Sequence, residues 1–268
     1  MHIDREGQSF DVRELGAGPT LILVHGYPLD GGMWSGVARI LSSEFRVLKP
    51  DLPGRPENPL PAAGTISSYS EFLAALVSAS PPPVGIAGFS MGGYAVLSLL
   101  RDHPAGIGAV ALIDTRASAD DDAGRAKRQE AIASLQAGGP GAVADSMIPM
   151  LLSAEARSRA DVVERVRRSI LRQSAATLQS DLEAMRDRPD QTSFLGQIAV
   201  PTLVVAGEHD QVTSSEDARG MAGAIPGAQF VEIPGAGHAT PIERPRGVAA
   251  ALAGFFRSAL SAPPAPGS

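Results

Sequence analysis

Three residues far apart in the chain have the types and surroundings to activate a hydroxyl group: Ser90, His238 and Asp210. Ser90 stands in "GFSMGGY", after the apolar run "VGIA" and ahead of the helical pattern "AVLSLL", which places it at a strand-to-helix turn. A serine hydroxyl attacks a carbonyl carbon only when the backbone presents it openly and a neighbouring base takes its proton. The G-x-S-x-G spacing meets the first condition, because Gly88 and Gly92 have no Cβ to hold strand and helix apart while the serine takes a strained conformation. The same turn aims helix N-terminal N–H groups at the reacting centre, and the one on Met91 is a candidate donor to a developing oxyanion.

His238 is the expected base. It lies in "PGAGHATPIERP", after the last β-rich run, where a glycine-rich turn lets a loop carry an imidazole back over a sheet edge. The other four histidines have ordinary readings: His2 is terminal, His103 in "RDHP" ends a helix, His25 in "VHGYP" orders a loop through its neighbours rather than its ring, and His209 faces solvent. The imidazole needs a carboxylate on its second nitrogen. Asp210 in "VVAGEHD" sits just past a strand and completes the chain order Ser, Asp, His. Asp114 in "LIDT" also ends a strand and remains a rival, with pairing to Arg116 as its other reading; Asp51 in "PDLPGR" reads as a loop-ordering carboxylate. The backbone N–H of Tyr27 is the second oxyanion candidate, since Gly26 before it permits close approach and Pro28 after it has no N–H. The Tyr27 phenol either walls an acyl pocket or packs.

These residues need a scaffold that brings strand ends together. "TLILVH" (20–25), "FRVLKP" (45–50), "VGIAGF" (84–89), "IGAVALID" (107–114), "PTLVVAG" (201–207) and "QFVEIPG" (229–235) are short apolar runs ended by Gly, Pro or Asp, as expected for a mostly parallel sheet covered on both faces. "HIDREGQSFDVREL" alternates around "EGQ" and predicts an antiparallel hairpin at the sheet edge, while "GVAAALAGFFRSAL" predicts a last helix. Between Thr115 and about Gly196 charged helical periodicity takes over. The organisation expected is a core of residues 1–114 and 196–268 with a helical cap inserted over 115–195. In the cap, "DDDAGRAKRQEAIASLQAGG" has its acids first and ends on a glycine stop. "DVVERVRRSILRQ" repeats Val162, Val163, Val166, Ile170 and Leu171 on one face, and "SAATLQSDLEAM" repeats Leu178, Leu182 and Met185. Met147, Met150, Leu151 and Leu152 either form a flexible apolar wall or belong to the core.

Composition removes several classes. The 268 residues are 44% hydrophobic and carry a formal charge of −6, with no Lys/Arg run longer than two, so neither nucleic acid nor an anionic membrane surface is an expected partner. There is no cysteine, hence no disulfide or thiolate metal site, and "MHIDREGQ" lacks the features of a secretory signal, which makes the cytoplasm the expected location. No apolar stretch approaches the roughly 20 residues that span a bilayer. The tail "SAPPAPGS" is expected to be disordered.

In order along the chain, "HGYPLDGGMW", "PDLPG", "GFSMGG", "LIDTRA", "PTLVVAGEHD" and "IPGAGHATPIERP" resemble the α/β-hydrolase superfamily. "LIDTRASAD" and "AMRDRPD" are similar to small bacterial serine carboxylesterases with a helical cap, and the 3-oxoadipate enol-lactonases look similar too. The resemblance implies an α/β-hydrolase fold and hydrolysis of a small-molecule carboxylic ester, short in its acyl chain, through an acyl-enzyme and without metal or organic cofactor. A serine at the turn counts against haloalkane dehalogenases and epoxide hydrolases, which place Asp there; perhydrolases and haloperoxidases share the Ser-Asp-His set. A slow-turnover ligand-binding protein is the reading from another class, and a complete triad argues against it. Relatives often continue the second loop as D-x-R-G-x-G-x-S, whereas this chain has "DLPGRPENPLP", which leaves the shape of that loop open.

Overall fold

Runs that are apolar at every position can satisfy their side chains only if both faces of the strand are covered. That is how they fold in a computed structural model, which describes residues 1–5, 8–58 and 64–261; of the tail expected to be disordered, Ser261 instead ends the last helix, and 262–268 lie outside the described residues. The first half holds β1 (His2–Arg5), β2 (Gln8–Asp11), β3 (Arg13–Leu15), β4 (Thr20–Val24), α1 (Ser35–Leu41), β5 (Arg46–Lys49), α2 (Ile66–Ser78), β6 (Val84–Phe89), α3 (Met91–Asp102) and β7 (Ile107–Ile113). The second half holds α4 (Asp122–Leu151), α5 (Ala154–Arg157), α6 (Ala160–Leu171), α7 (Ala175–Arg186), β8 (Thr202–Gly207), α8 (Ser215–Ala224), β9 (Gln229–Ile233), α9 (Thr240–Glu243) and α10 (Pro245–Ser261). Seven strands form one sheet in the order β3-β5-β4-β6-β7-β8-β9, parallel except for β3. The hairpin forms, but β1 and β2 make a separate two-stranded sheet, and the short β3 that follows takes the edge expected for it.

β4, β6 and β8 are buried at every position, whereas the edge strand β9 is largely open. Helices α1 and α10 pack on each other, as do α2 and α3, and both pairs lie against the sheet. Glycine makes one of these contacts feasible: a Cβ on Gly85 of β6 would lie 2.4 Å from the Leu21 side chain and 2.9 Å from Phe256 of α10.

The segment between β7 and β8 is a helical layer in which α4 packs on α6 and α7. Its starts are set locally by side-chain caps, with Asp121 accepting from Gly124 N–H at 2.7 Å and Ser174 from Thr177 N–H at 3.0 Å. The glycine stop expected after "SLQA" is a break rather than an end. Gly139 sits at φ 64°, ψ −164°, and the chain resumes as helix from Pro140, a residue suited to a first turn. On α6, Val162, Val166 and Ile170 are buried as expected, while Leu171 turns out to be 50% exposed because it lies beyond the edge of the apolar stripe. Among the described residues no helix is long and apolar enough to cross a membrane.

Two buried ion pairs fasten this layer. Arg188, which ends the layer, meets Asp120 at its beginning at 2.8 Å and stacks 4.3 Å over the Tyr94 ring, so "LIDTRASAD" and "AMRDRPD" close on each other in space. Arg55, from the loop after β5, makes a two-pronged pair with Asp181 of α7 at 3.1 and 2.5 Å, and the Tyr69 hydroxyl donates to the same carboxylate at 2.5 Å. The Arg55 and Asp181 side chains have no solvent exposure. Removing one member of such a pair strands the other charge in a low dielectric. Asp181→Ala should therefore cost about 3–5 kcal/mol and lower the thermal midpoint by roughly 10 °C, as measured by thermal unfolding beside the wild type.

Candidate active site

β6 ends at Phe89, α3 begins at Met91, and Ser90 alone makes the reversal, at φ 52° and ψ −117°. A non-glycine residue there holds strain of order 1–3 kcal/mol, which the surroundings must over-determine. They do so by close contact. A Cβ on Gly88 would stand 2.6 Å from Gly92 O, one on Gly92 2.5 Å from His25 O, and one on Gly26 2.9 Å from Ser90 Cβ. Hydrogen bonds fix the rest: Ser90 N–H donates to Ile113 O at 2.9 Å, and the Thr115 hydroxyl donates to Ser90 O at 2.8 Å.

His238 reaches the serine from the loop after β9, which turns through Gly235 at φ 65°. Its Nε2 lies 3.0 Å from Ser90 Oγ and its Nδ1 2.8 Å from Asp210 Oδ2. All three side chains are nearly or fully buried, with Phe89 tilted against the imidazole at a ring separation of 5.1 Å. Asp210 is held by its own turn: Oδ1 accepts from Val212 N–H at 2.7 Å and Thr213 N–H at 3.0 Å, and Oδ2 accepts from the Thr213 hydroxyl at 2.8 Å. Burial by itself would push this carboxyl up, but His238 and the two backbone donors outweigh it and hold Asp210 below the usual carboxylate range. The sequence reading missed Thr213, although a residue three places past an Asp in a polar turn is where such a bond forms.

Asp114 is close by but takes another part. Fully buried at the end of β7 with φ 47°, it accepts from Gly207 N–H at 2.9 Å and from the Thr240 hydroxyl at 2.6 Å, tying the loop before Asp210 to the loop after His238. It does not pair with Arg116, whose guanidinium instead donates to Val212 O at 2.5 Å. Desolvation, then the Asp210 charge, drive the Asp114 carboxyl well above its ordinary value. Asp51 orders a loop as expected, accepting from Gly31 N–H at 2.6 Å. His25 differs from expectation, since its ring is the tie: Nε2 accepts from Leu52 N–H at 3.0 Å and Nδ1 lies 3.2 Å from Gly26 O. Burial holds this imidazole well below its usual range, as accepting an N–H requires.

The two expected oxyanion donors flank Ser90 in the fold. Met91 opens α3 with no side-chain cap on the helix, and Tyr27 follows Gly26, the glycine pressed against Ser90 Cβ. The Tyr27 side chain also lines a cavity of about 790 Å³ under the helical layer, with Arg116, Met147, Met150, Leu182 and Val212. Of the four apolar residues singled out between 147 and 152, Met147 and Met150 face this cavity while Leu151 and Leu152 are core. No three His, Asp or Glu side chains among the described residues are grouped to hold a metal ion.

The profile of the alpha/beta hydrolase fold matches residues 19–245. The chain belongs to the α/β-hydrolase family. Among sequence relatives of this α/β-hydrolase is the pimeloyl-[acyl-carrier protein] methyl ester esterase of Nitrosomonas europaea, 27% identical over 86% of this chain and 93% of that one. Among solved structures, a thermophilic esterase from Thermogutta terrifontis is 33% identical with a TM-score of 0.89, each chain covered over 94%. The enol-lactonase of Burkholderia xenovorans LB400 is 26% identical with a TM-score of 0.87, over 96% of this chain and 100% of that one.

The upward push on the Asp114 carboxyl makes a pH prediction. An unfolded aspartate releases its proton near pH 4, whereas the folded one retains it well above, so the unfolded state binds fewer protons between those limits and stability from this group falls as pH rises. Asparagine does not titrate. Asp114→Asn should lower the thermal midpoint more than it lowers kcat, and the midpoint loss should shrink between pH 5 and pH 8; a loss that grows with pH would contradict the assignment.

Proposed function

We propose that this α/β-hydrolase-family esterase cleaves carboxylic esters by attack of Ser90, with His238 as the general base and Asp210 as its orienting acid. The observation that carries the reading is the unbroken line from Ser90 Oγ to His238 Nε2 at 3.0 Å and from His238 Nδ1 to Asp210 Oδ2 at 2.8 Å. As Oγ bonds to the carbonyl carbon, its proton passes to Nε2, and the carbonyl oxygen becomes an oxyanion bonded by the N–H groups of Tyr27 and Met91. The intermediate collapses, the C–O bond to the alcohol breaks, and the proton on Nε2 leaves with the alcohol. Water then gives a proton to the same nitrogen as it adds to the acyl carbon, and the bond from that carbon to Oγ breaks while the proton on Nε2 passes to Oγ, releasing the acid and restoring Ser90. Asp210, kept ionised by its turn, holds the tautomer with the proton on Nδ1 and stabilises the imidazolium.

The helices over residues 115–195 act in this reading as a cap whose lower face walls the substrate site. The resemblance to small capped esterases points to esters with short acyl chains, acetate to hexanoate, and the cavity that Tyr27 lines with Met147, Met150 and Val212 is the apolar wall such a substrate would meet. A lactone opens by the same attack, with both product ends left on one molecule, and the likeness to an enol-lactonase keeps that substrate class as the second reading.

Two measurements test this. Ser90→Ala should retain less than about a thousandth of the wild-type kcat, since catalysis without the triad in this chemistry is weaker by orders of magnitude. Across a kcat/KM series on p-nitrophenyl esters from acetate to palmitate, with an enol-lactone included, the maximum should fall at or below the hexanoate. A maximum at long chains rejects the short-acyl reading, and a lactone that outruns every ester moves the assignment to lactone hydrolysis.

A further inference from the structure

His238 stands on a loop whose backbone is held from outside the sheet. The N–H of the residue before it, Gly237, donates to Glu243 Oε1 at 3.0 Å, and the N–H of the residue after it, Ala239, donates to Leu151 O at the end of α4 at 2.8 Å. Glu243 is 3% exposed, and its other donors come from the helical layer: the Ser153 hydroxyl at 2.5 Å and Ser153 N–H at 3.2 Å, both to Oε2. The packing is equally direct, since a Cβ on Gly237 would lie 2.6 Å from Ser153 N and 2.9 Å from Glu243 Oε1. One carboxylate thus spans the loop that carries the imidazole and the residue that ends the stretch bearing Met147 and Met150.

Resting on the reading of Ser90 and His238 given above, we infer that Glu243 is a positioning residue, which sets the height of His238 over Ser90 by locking its loop to the cavity wall formed by the end of α4. A carboxylate suits the place because every partner is a donor. Both oxygens are needed as acceptors, one toward Gly237 and one toward Ser153. Replacing either oxygen by an amide NH2 sets donor against donor in a buried site and moves the Gly237 backbone, one residue from the imidazole. The wall against which an acyl chain would lie and the base that acts on it are in this way parts of one bonded unit.

The test uses Glu243→Gln, which keeps the shape of the side chain, and Ser153→Ala, which removes the hydroxyl donor from the cap side. The probe is a fluorophosphonate that labels an activated serine, together with kcat and KM on p-nitrophenyl acetate and hexanoate. Glu243→Gln should slow both labelling and kcat by about 10- to 100-fold with KM within about twofold, the range expected when a catalytic group is displaced by a fraction of an ångström to an ångström. Ser153→Ala should show a smaller loss of the same kind, and the double variant no more loss than Glu243→Gln alone. Labelling of folded Glu243→Gln at the wild-type rate, or a loss confined to KM, overturns the inference; if that variant does not fold, wild-type labelling of Ser153→Ala overturns it. Absence of labelling at Ser90 in the wild type would instead overturn the reading of the site.

Discussion

Everything at the site depends on one constraint: a strand and a helix must meet closely enough that a single residue, Ser90, makes the turn between them. Three glycines allow it, because Gly26, Gly88 and Gly92 each occupy a place where a Cβ would come within 3 Å of a neighbour. The strain at Ser90 is resisted by bonds at both of its peptide groups, to Ile113 on one side and from Thr115 on the other. Those two residues bracket Asp114, so the end of β7 clamps the turn while Asp114 itself reaches on to β8 and the His238 loop. The hydroxyl is presented at the carboxyl edge of a parallel sheet, where strand ends converge and loops are free to carry chemistry.

Around that turn, carboxylates of one kind do different work because their surroundings differ. Asp210 accepts from backbone donors and from His238, which favour its charged form, whereas Asp114 is deeper, and desolvation and the Asp210 charge push its carboxyl up. Asp181 faces a guanidinium, and Glu243 faces N–H and O–H donors from two segments. Each buried acid is matched by partners, as a dry interior requires.

The sequence was informative wherever short-range rules decide the outcome. Fully apolar runs mark the inner strands, and the glycine spacing around Ser90 marks the tight turn. The loop after β5 was not legible, because its form rests on Arg55 finding Asp181 more than a hundred residues away, and nothing local to "DLPGRPENPLP" announces that partner; residues 59–63 of that loop lie outside the described residues. His25 was underestimated for the same reason, its acceptor role depending on Leu52 N–H from another segment. Leu171 shows the reverse case: a helical period extends one residue too far when the neighbouring layer stops short of it. Chain order did not separate Asp114 from Asp210, since both follow strands of one sheet, and what differs between them is their bonding partners in space.

The helical layer is tied to the core at several separated points, and the positions of those ties bear on how it can move over the cavity. Three of them are Arg188 stacked on the Tyr94 ring of α3 at its root, Asp181 bound to Arg55 in the loop after β5, and Ser153 bound to Glu243 beside His238. Lifting the layer as a rigid body would break all three, and the Arg55–Asp181 pair alone would leave two charges without partners until water reached them. A motion of side chains asks far less. Met150 is 40% exposed and lines the cavity, and the unbranched, many-rotamer chains of Met147 and Met150 can move aside without disturbing a hydrogen bond. The fold therefore keeps the layer that carries the Ser153 link fixed over His238, and confines the adaptable part of the wall to residues whose movement leaves the Ser90–His238 distance unchanged.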